Sequence, residues 1–225
     1  MALYADCAVV AEVERLCAGY PIAGVTTNPT LLLAARENAG QRMTDIEVLR
    51  ALLANTPLPA IFMQPTGMTA DELRAQSEAY LEQDVHRVTL KLPMSEGGMA
   101  AALAIRREQP NTRIAFTAVC SPAQAYAGLA ANAEWVIPYF GRLRRAGLDA
   151  CQHVANIARL LAGQEHTRLL VASLKSPDDS VEVLLAGADD ITAPPEVIRA
   201  LVVNPLSEAA IAQFNADAAR LRDLG

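Results

Sequence analysis

Lys91 lies inside an apolar segment, Val88-Thr89-Leu90-Lys91-Leu92-Pro93. Read as a strand, this segment puts Val88, Leu90 and Leu92 on one face and Thr89 and Lys91 on the other. A lysine so placed either reaches water, as on a solvated edge strand, or sits in an enclosed cavity. Enclosure removes solvation and disfavours the ammonium form. A neutral lysine amine is a nucleophile towards carbonyl carbon and can form a Schiff base. Other polar residues recur where short apolar runs end: Asp6, Thr26-Thr27-Asn28-Pro29, Gln64, Thr117, Tyr139 followed by Arg142, and Ser173 followed by Lys175. Each has a structural alternative. Asp6 could cap a helix, and Thr26 to Asn28 could be turn residues before Pro29. Gln64 and Thr117 could be satisfied core groups, Tyr139 a packing residue with its hydroxyl at a rim, and Ser173 a turn residue. Taken together, alternation lets Asp6, Gln64, Lys91, Thr117, Tyr139 and Ser173 point to one side.

The elements that must carry these residues alternate in type. Short apolar runs at about 3–6, 22–26, 60–63, 88–92, 113–118, 135–138, 168–173 and 190–192 read as strands. Helical patterns fall at about 9–18, 44–55, 69–82, 97–107, 122–131, 149–162, 177–186 and 195–202. This β-α alternation implies a parallel sheet covered by helices. Eight units in about 200 residues predict an α/β chain folded as a single (β/α)8 barrel, in which chemistry sits at the C-terminal strand ends. An open doubly wound sheet is the alternative, but Asp6-Cys7-Ala8 stands where that fold's glycine fingerprint is expected. No domain boundary interrupts residues 1–225. A further amphipathic stretch, 207–222, follows Pro205, with Ser207 as its expected cap and Ile211, Phe214 and Leu221 on one face. It is expected to pack on the barrel or on a neighbouring subunit.

The net charge of −6 and the lack of a strongly basic stretch argue against nucleic-acid binding. The local cluster Arg142-Leu143-Arg144-Arg145 could still attract a small anion. The hydrophobic fraction, 52%, supports a sizeable core. No apolar run reaches membrane-spanning length, and the start of the chain lacks the pattern of a secretory signal. Cys7, Cys17, Cys120 and Cys151 are scattered without metal-ligand spacing. The expectation is a cytoplasmic protein with reduced thiols and no membrane association.

Four segments resemble one family. Gly24-Val25-Thr26-Thr27-Asn28-Pro29-Thr30 and Val88-Thr89-Leu90-Lys91-Leu92-Pro93 are similar to two signatures of the transaldolase family. Ile137-Pro138-Tyr139-Phe140-Gly141-Arg142 and Ala172-Ser173-Leu174-Lys175 look like two more. Gln64 and Tyr139 stand where transaldolases proper carry Glu and Phe, so the chain looks most like the small fructose-6-phosphate aldolase branch. The resemblance implies a (β/α)8 barrel and a metal-free, cofactor-free class I aldolase acting on a sugar phosphate. In that mechanism Lys91 forms the imine, Asp6 binds hydroxyls and moves protons, and Tyr139, Gln64 and Thr117 hold a proton-relaying water. On the substrate side it implies Thr26 and Asn28, with Asn28 and Ser173 orienting hydroxyls and Arg142, Ser173 and Lys175 holding the phosphate. Ser176-Pro177, read as N-cap and N1, would add helix N-terminal amides to that phosphate site. The family's assembly implies a homo-oligomer, a pentamer or a decamer of two pentameric rings, with residues 207–222 reaching onto a neighbour.

Three positions depart from the family pattern. Arg144 and Arg145 stand where an acidic residue is usual, Pro65-Thr66-Gly67 is an unusual turn after Gln64, and Cys120 replaces a frequent aromatic. The alternatives to the aldolase are a transaldolase, which passes the dihydroxyacetone unit to an acceptor, and a relative acting on another anionic ketose, such as a sulfonated one. A non-catalytic sugar-phosphate binder on the same barrel is a further alternative, since fold alone does not settle function.

Overall fold

The computed structural model describes residues 1–38, 40 and 42–223. Among these, eight parallel strands close into a barrel in chain order. They are β1 (Ala2–Asp6), β2 (Ile22–Thr26), β3 (Ile61–Met63), β4 (Val88–Pro93), β5 (Arg113–Val119), β6 (Trp135–Pro138), β7 (Arg168–Val171) and β8 (Asp190–Ala193). β8 pairs back onto β1, with Leu3 opposite Ile191. The expected (β/α)8 architecture is therefore present.

Strand alternation creates two apolar layers. Val88, Leu90 and Leu92 belong to the cluster packed under the helices. Tyr4, Phe62, Trp135, Ile137 and Leu170 fill the barrel interior. Phe62 meets Tyr4 and Trp135 edge to face, with ring centroids 5.6 and 5.0 Å apart. Gly24 leaves space for this plug, because a Cβ there would lie 2.8 Å from the Tyr4 ring. The N-terminal barrel end is closed by Arg168, whose guanidinium donates to both oxygens of the buried Asp190 carboxylate at 2.7 and 2.6 Å. The interior is thus blocked below and chemically accessible only at the C-terminal end.

Among the described residues the helices are α1 (Val10–Gly19), α2 (Pro29–Asn38), α3 (Asp45–Asn55), α4 (Ala70–Leu81), α5 (Glu96–Glu108), α6 (Pro122–Ala130), α7 (Phe140–Arg145), α8 (Ala150–Leu161), α9 (Pro177–Leu185), α10 (Pro195–Ala200) and α11 (Pro205–Asp223). Two of them, α2 and α7, were not expected. α2 (Pro29–Asn38) follows β2 directly, and the Leu31 N–H donates to Asn28 Oδ1 at 3.0 Å. Pro29 therefore opens a helix instead of ending a turn. α7 (Phe140–Arg145) is a short helix after β6. α3 (Asp45–Asn55) and α4 (Ala70–Leu81) both begin with reciprocal capping boxes, Thr44 with Glu47 and Thr69 with Glu72. The expected seventh strand is shorter than residues 168–173, since β7 ends at Val171.

α11 (Pro205–Asp223) begins before the expected Ser207 cap. Asn204 Oδ1 accepts the Leu206 N–H at 2.9 Å and takes that role, leaving Ser207 inside the helix. α11 contains no buried residue, and Ile211, Phe214 and Leu221 are exposed. Its apolar face therefore does not pack on its own barrel. Among the described residues, no helix is long and apolar enough to cross a membrane.

Candidate active site

Lys91 is on a central strand, not an edge strand, because β4 pairs with β3 on one side and β5 on the other. Only 1% of its surface is exposed, and Nζ donates to the Thr27 carbonyl oxygen at 3.1 Å. It opens into a cavity of about 440 Å³ at the C-terminal barrel end. Asp6, Asn28, Gln64 and Tyr139 line the same cavity, as do Arg142, Ser173 and Lys175. The chain contains two lysines, Lys91 and Lys175, against a much larger number of arginines. Both lysines face this cavity. That scarcity was a sequence-level signal of the site.

Thr26 and Thr117 do not line the cavity; both are fully buried behind it. Thr26 stands behind Asp6 instead. Its hydroxyl donates to Asp6 Oδ1 at 2.7 Å and lies 2.7 Å from Thr192 Oγ1. One hydroxyl carries one proton, so Thr192 donates to Thr26 and Thr26 to Asp6. This chain fixes one oxygen of the Asp6 carboxylate as an acceptor beside the cavity. Thr117 Oγ1 pairs with the Tyr139 hydroxyl at 2.8 Å and fixes its position. Among the described residues, Gln64 Oε1 is buried without a partner, an acceptor available to a substrate or water. The Thr66 turn beyond it is held by Gln76, whose Oε1 accepts the Thr66 N–H at 2.7 Å. Gln64 also borders a second cavity of about 400 Å³ between α2, α3 and α4, which sequence reasoning missed.

Ser173 reaches the cavity by a route that alternation does not describe. Val171 belongs to the helix-facing cluster and Ala172 to the barrel interior, so simple parity would turn Ser173 outward. Its backbone φ is +66°, which re-aims the chain. The Gly141 N–H donates to the Ser173 carbonyl at 3.1 Å. A Cβ on Gly141 would lie 2.6 Å from that oxygen, so α7 and the turn after β7 meet this closely only because residue 141 is glycine.

The arginine cluster divides. Arg142 and Arg145, three residues apart on α7, both line the cavity. Arg142 lies over the Tyr139 ring, 4.8 Å from its centroid. Arg144 turns the other way, onto the Phe140 ring, and pairs with Asp179 at 2.6 Å and with Glu182. Asp179 belongs to α9 (Pro177–Leu185). Its Oδ2 accepts the Lys175 N–H at 2.7 Å, and its own N–H donates to Ser176 Oγ at 3.0 Å. Two amides at this end are thus already occupied, and neither Ser176 nor Pro177 lines the cavity. Side-chain cations face the cavity there.

Cys120 is exposed and outside the cavity lining. Cys7 is buried beside Asp6, and burial pushes its thiol up to about 11, which leaves it unreactive near neutral pH. Among the described residues no group of His, Cys, Asp and Glu could hold a metal ion. The constellation is one enclosed amine, one oriented carboxylate, one oriented phenol and a group of cations around a single cavity. Residues 3–224 match the family model described as Transaldolase/Fructose-6-phosphate aldolase, and the chain therefore belongs to this family of aldolase/transaldolase-type enzymes.

Proposed function

We propose that the chain is a class I aldolase that cleaves or forms fructose 6-phosphate, with dihydroxyacetone and glyceraldehyde 3-phosphate as the other partners. The observation that carries this reading is the enclosure of Lys91 in a cavity shared with Asp6, Gln64 and Tyr139. Lys91 Nζ attacks the C2 carbonyl of the ketose, and loss of water leaves a protonated imine. Asp6 takes the proton of the C4 hydroxyl as the C3–C4 bond breaks and its electrons move into the imine. Glyceraldehyde 3-phosphate departs, and the remaining enamine is protonated at C3. Water then hydrolyses the imine, releasing dihydroxyacetone and the free amine.

Release differs from transfer only in the fate of the enamine. The Thr117–Tyr139 hydroxyl pair and the free Gln64 acceptor support the releasing reaction, because together they can hold a water beside the enamine. Product analysis with fructose 6-phosphate, with and without erythrose 4-phosphate, tests the reading. Free dihydroxyacetone formed catalytically without an acceptor is expected. Turnover only with the acceptor, giving a seven-carbon ketose phosphate, would make the enzyme a transaldolase. In the same reading the uncovered face of α11 contacts a neighbouring subunit of a homo-oligomer, and sedimentation as a monomer would remove that part.

A further inference from the structure

We propose that Arg145 is a specificity-determining residue that completes a three-cation subsite with Arg142 and Lys175, selective for a dianionic phosphate monoester over a monoanionic sulfonate or a neutral aldehyde. This deepens the proposed function and rests on it for the identity of the substrate. Arg145 is placed by two observations. It lines the cavity that contains Lys91. The point where a Gly141 Cβ would stand is 3.6 Å from Arg145 Nη1 and 2.9 Å from Ser173 Oγ, so both groups converge on the glycine's open side.

The charge balance of the α7 arginines supports the assignment. Arg144 is compensated by Asp179 and Glu182. Among the described residues, Arg142, Arg145 and Lys175 form no ion pair. Three uncompensated cations on one wall repel one another, and an anion relieves that repulsion in proportion to its charge. A phosphate monoester carries close to two charges at neutral pH, because its second pKa is about 6. A sulfonate carries one. Arg also offers a planar fork that suits phosphate oxygens, which Lys does not. The helix spacing explains why neighbouring arginines differ in role: residue 145 lies three positions from Arg142 on the same face, whereas residue 144 faces α9.

The test compares wild type with Arg145→Ala and Arg145→Lys in the addition of dihydroxyacetone to glyceraldehyde 3-phosphate and to unphosphorylated glyceraldehyde. The ratio of kcat/KM for the two aldehydes is expected to fall about tenfold or more in Arg145→Ala, mainly through KM for the phosphorylated aldehyde. Arg145→Lys is expected to recover part of the ratio. A ratio that stays at the wild-type value would overturn the proposal, as would equal losses for both aldehydes. Calorimetric titration with inorganic phosphate and with methanesulfonate gives a readout independent of turnover. Phosphate is expected to bind wild type at least about tenfold more tightly than methanesulfonate does, and to weaken about tenfold in Arg145→Ala. Equal binding of the two anions, or an unaffected variant, contradicts the subsite. If neither aldehyde turns over, the aldolase reading fails while the titration still decides Arg145.

Discussion

Lys91 donates to the Thr27 carbonyl at 3.1 Å, a neutral acceptor that orients the amine without binding it as an ion pair. Tyr139 is held in turn by Thr117 at 2.8 Å. If this phenol helps protonate and release the enamine, Tyr139→Phe lowers dihydroxyacetone release while transfer to an acceptor persists. Their ratio should shift about tenfold or more toward transfer, within the usual range for losing one proton-handling group. An unchanged ratio counts against the role. The sequence was informative where a residue lay within a strand or directly after its last residue, since period-two alternation placed Lys91, Gln64 and Tyr139 on one side. It failed for Ser173, whose φ of +66° breaks the alternation. It also missed the difference between Arg144 and Arg145, which depends on a six-residue helix invisible to hydrophobic periodicity.

That short helix and the turn after β7 form the junction that carries Arg142, Arg145, Ser173 and Lys175 at the cavity. Gly141 is its closest point, since an added Cβ would lie 2.6 Å from the Ser173 carbonyl. The obstruction is backbone, so it cannot be relieved by a rotamer change. Gly141→Ala is expected to destabilise the fold by about 1–3 kcal/mol and to raise KM for a phosphorylated substrate by displacing Ser173. Denaturant unfolding and steady-state kinetics check both effects, and an unaltered KM would detach Ser173 from substrate binding. The main barrel elements were legible because each strand is a short apolar run between amphipathic segments. α2 was not, because Pro29 fits both a turn and a first helical position, and only Asn28 capping the Leu31 amide distinguishes them. α11 was legible as a helix, but its start was misplaced for the same reason at Pro205.

The whole molecule is a barrel closed below by aromatic packing and the Arg168–Asp190 fork, with the Lys91 cavity at the other end. Its buried thiol and phenol set an alkaline limit. Burial pushes Cys7 from 9.0 up to about 11. Burial, followed by the hydrogen bond to the Asp45 carboxylate, also pushes Tyr80 above 10.0. Both groups keep their protons in the folded chain where the unfolded chain releases them. The stability they contribute is present in full below pH 9 and is lost as pH rises towards 11 and beyond. Cys7 alone accounts for about 2–3 kcal/mol. Denaturant midpoints measured from pH 8 upward are expected to fall, and less steeply in Cys7→Ala; parallel curves would remove Cys7 as a cause.

Imine formation at Lys91 is read out by borohydride reduction in the presence of dihydroxyacetone, followed by peptide mass mapping. The chain offers only Lys91 and Lys175 as lysine sites, so assignment is simple. One reduced dihydroxyacetone unit is expected on Lys91 and none in Lys91→Arg, which keeps the charge but cannot form the imine. Loss of turnover in that variant by a factor of order 10³ or more should accompany it. An adduct on Lys175, or no adduct in an enzyme that still turns over, would contradict it.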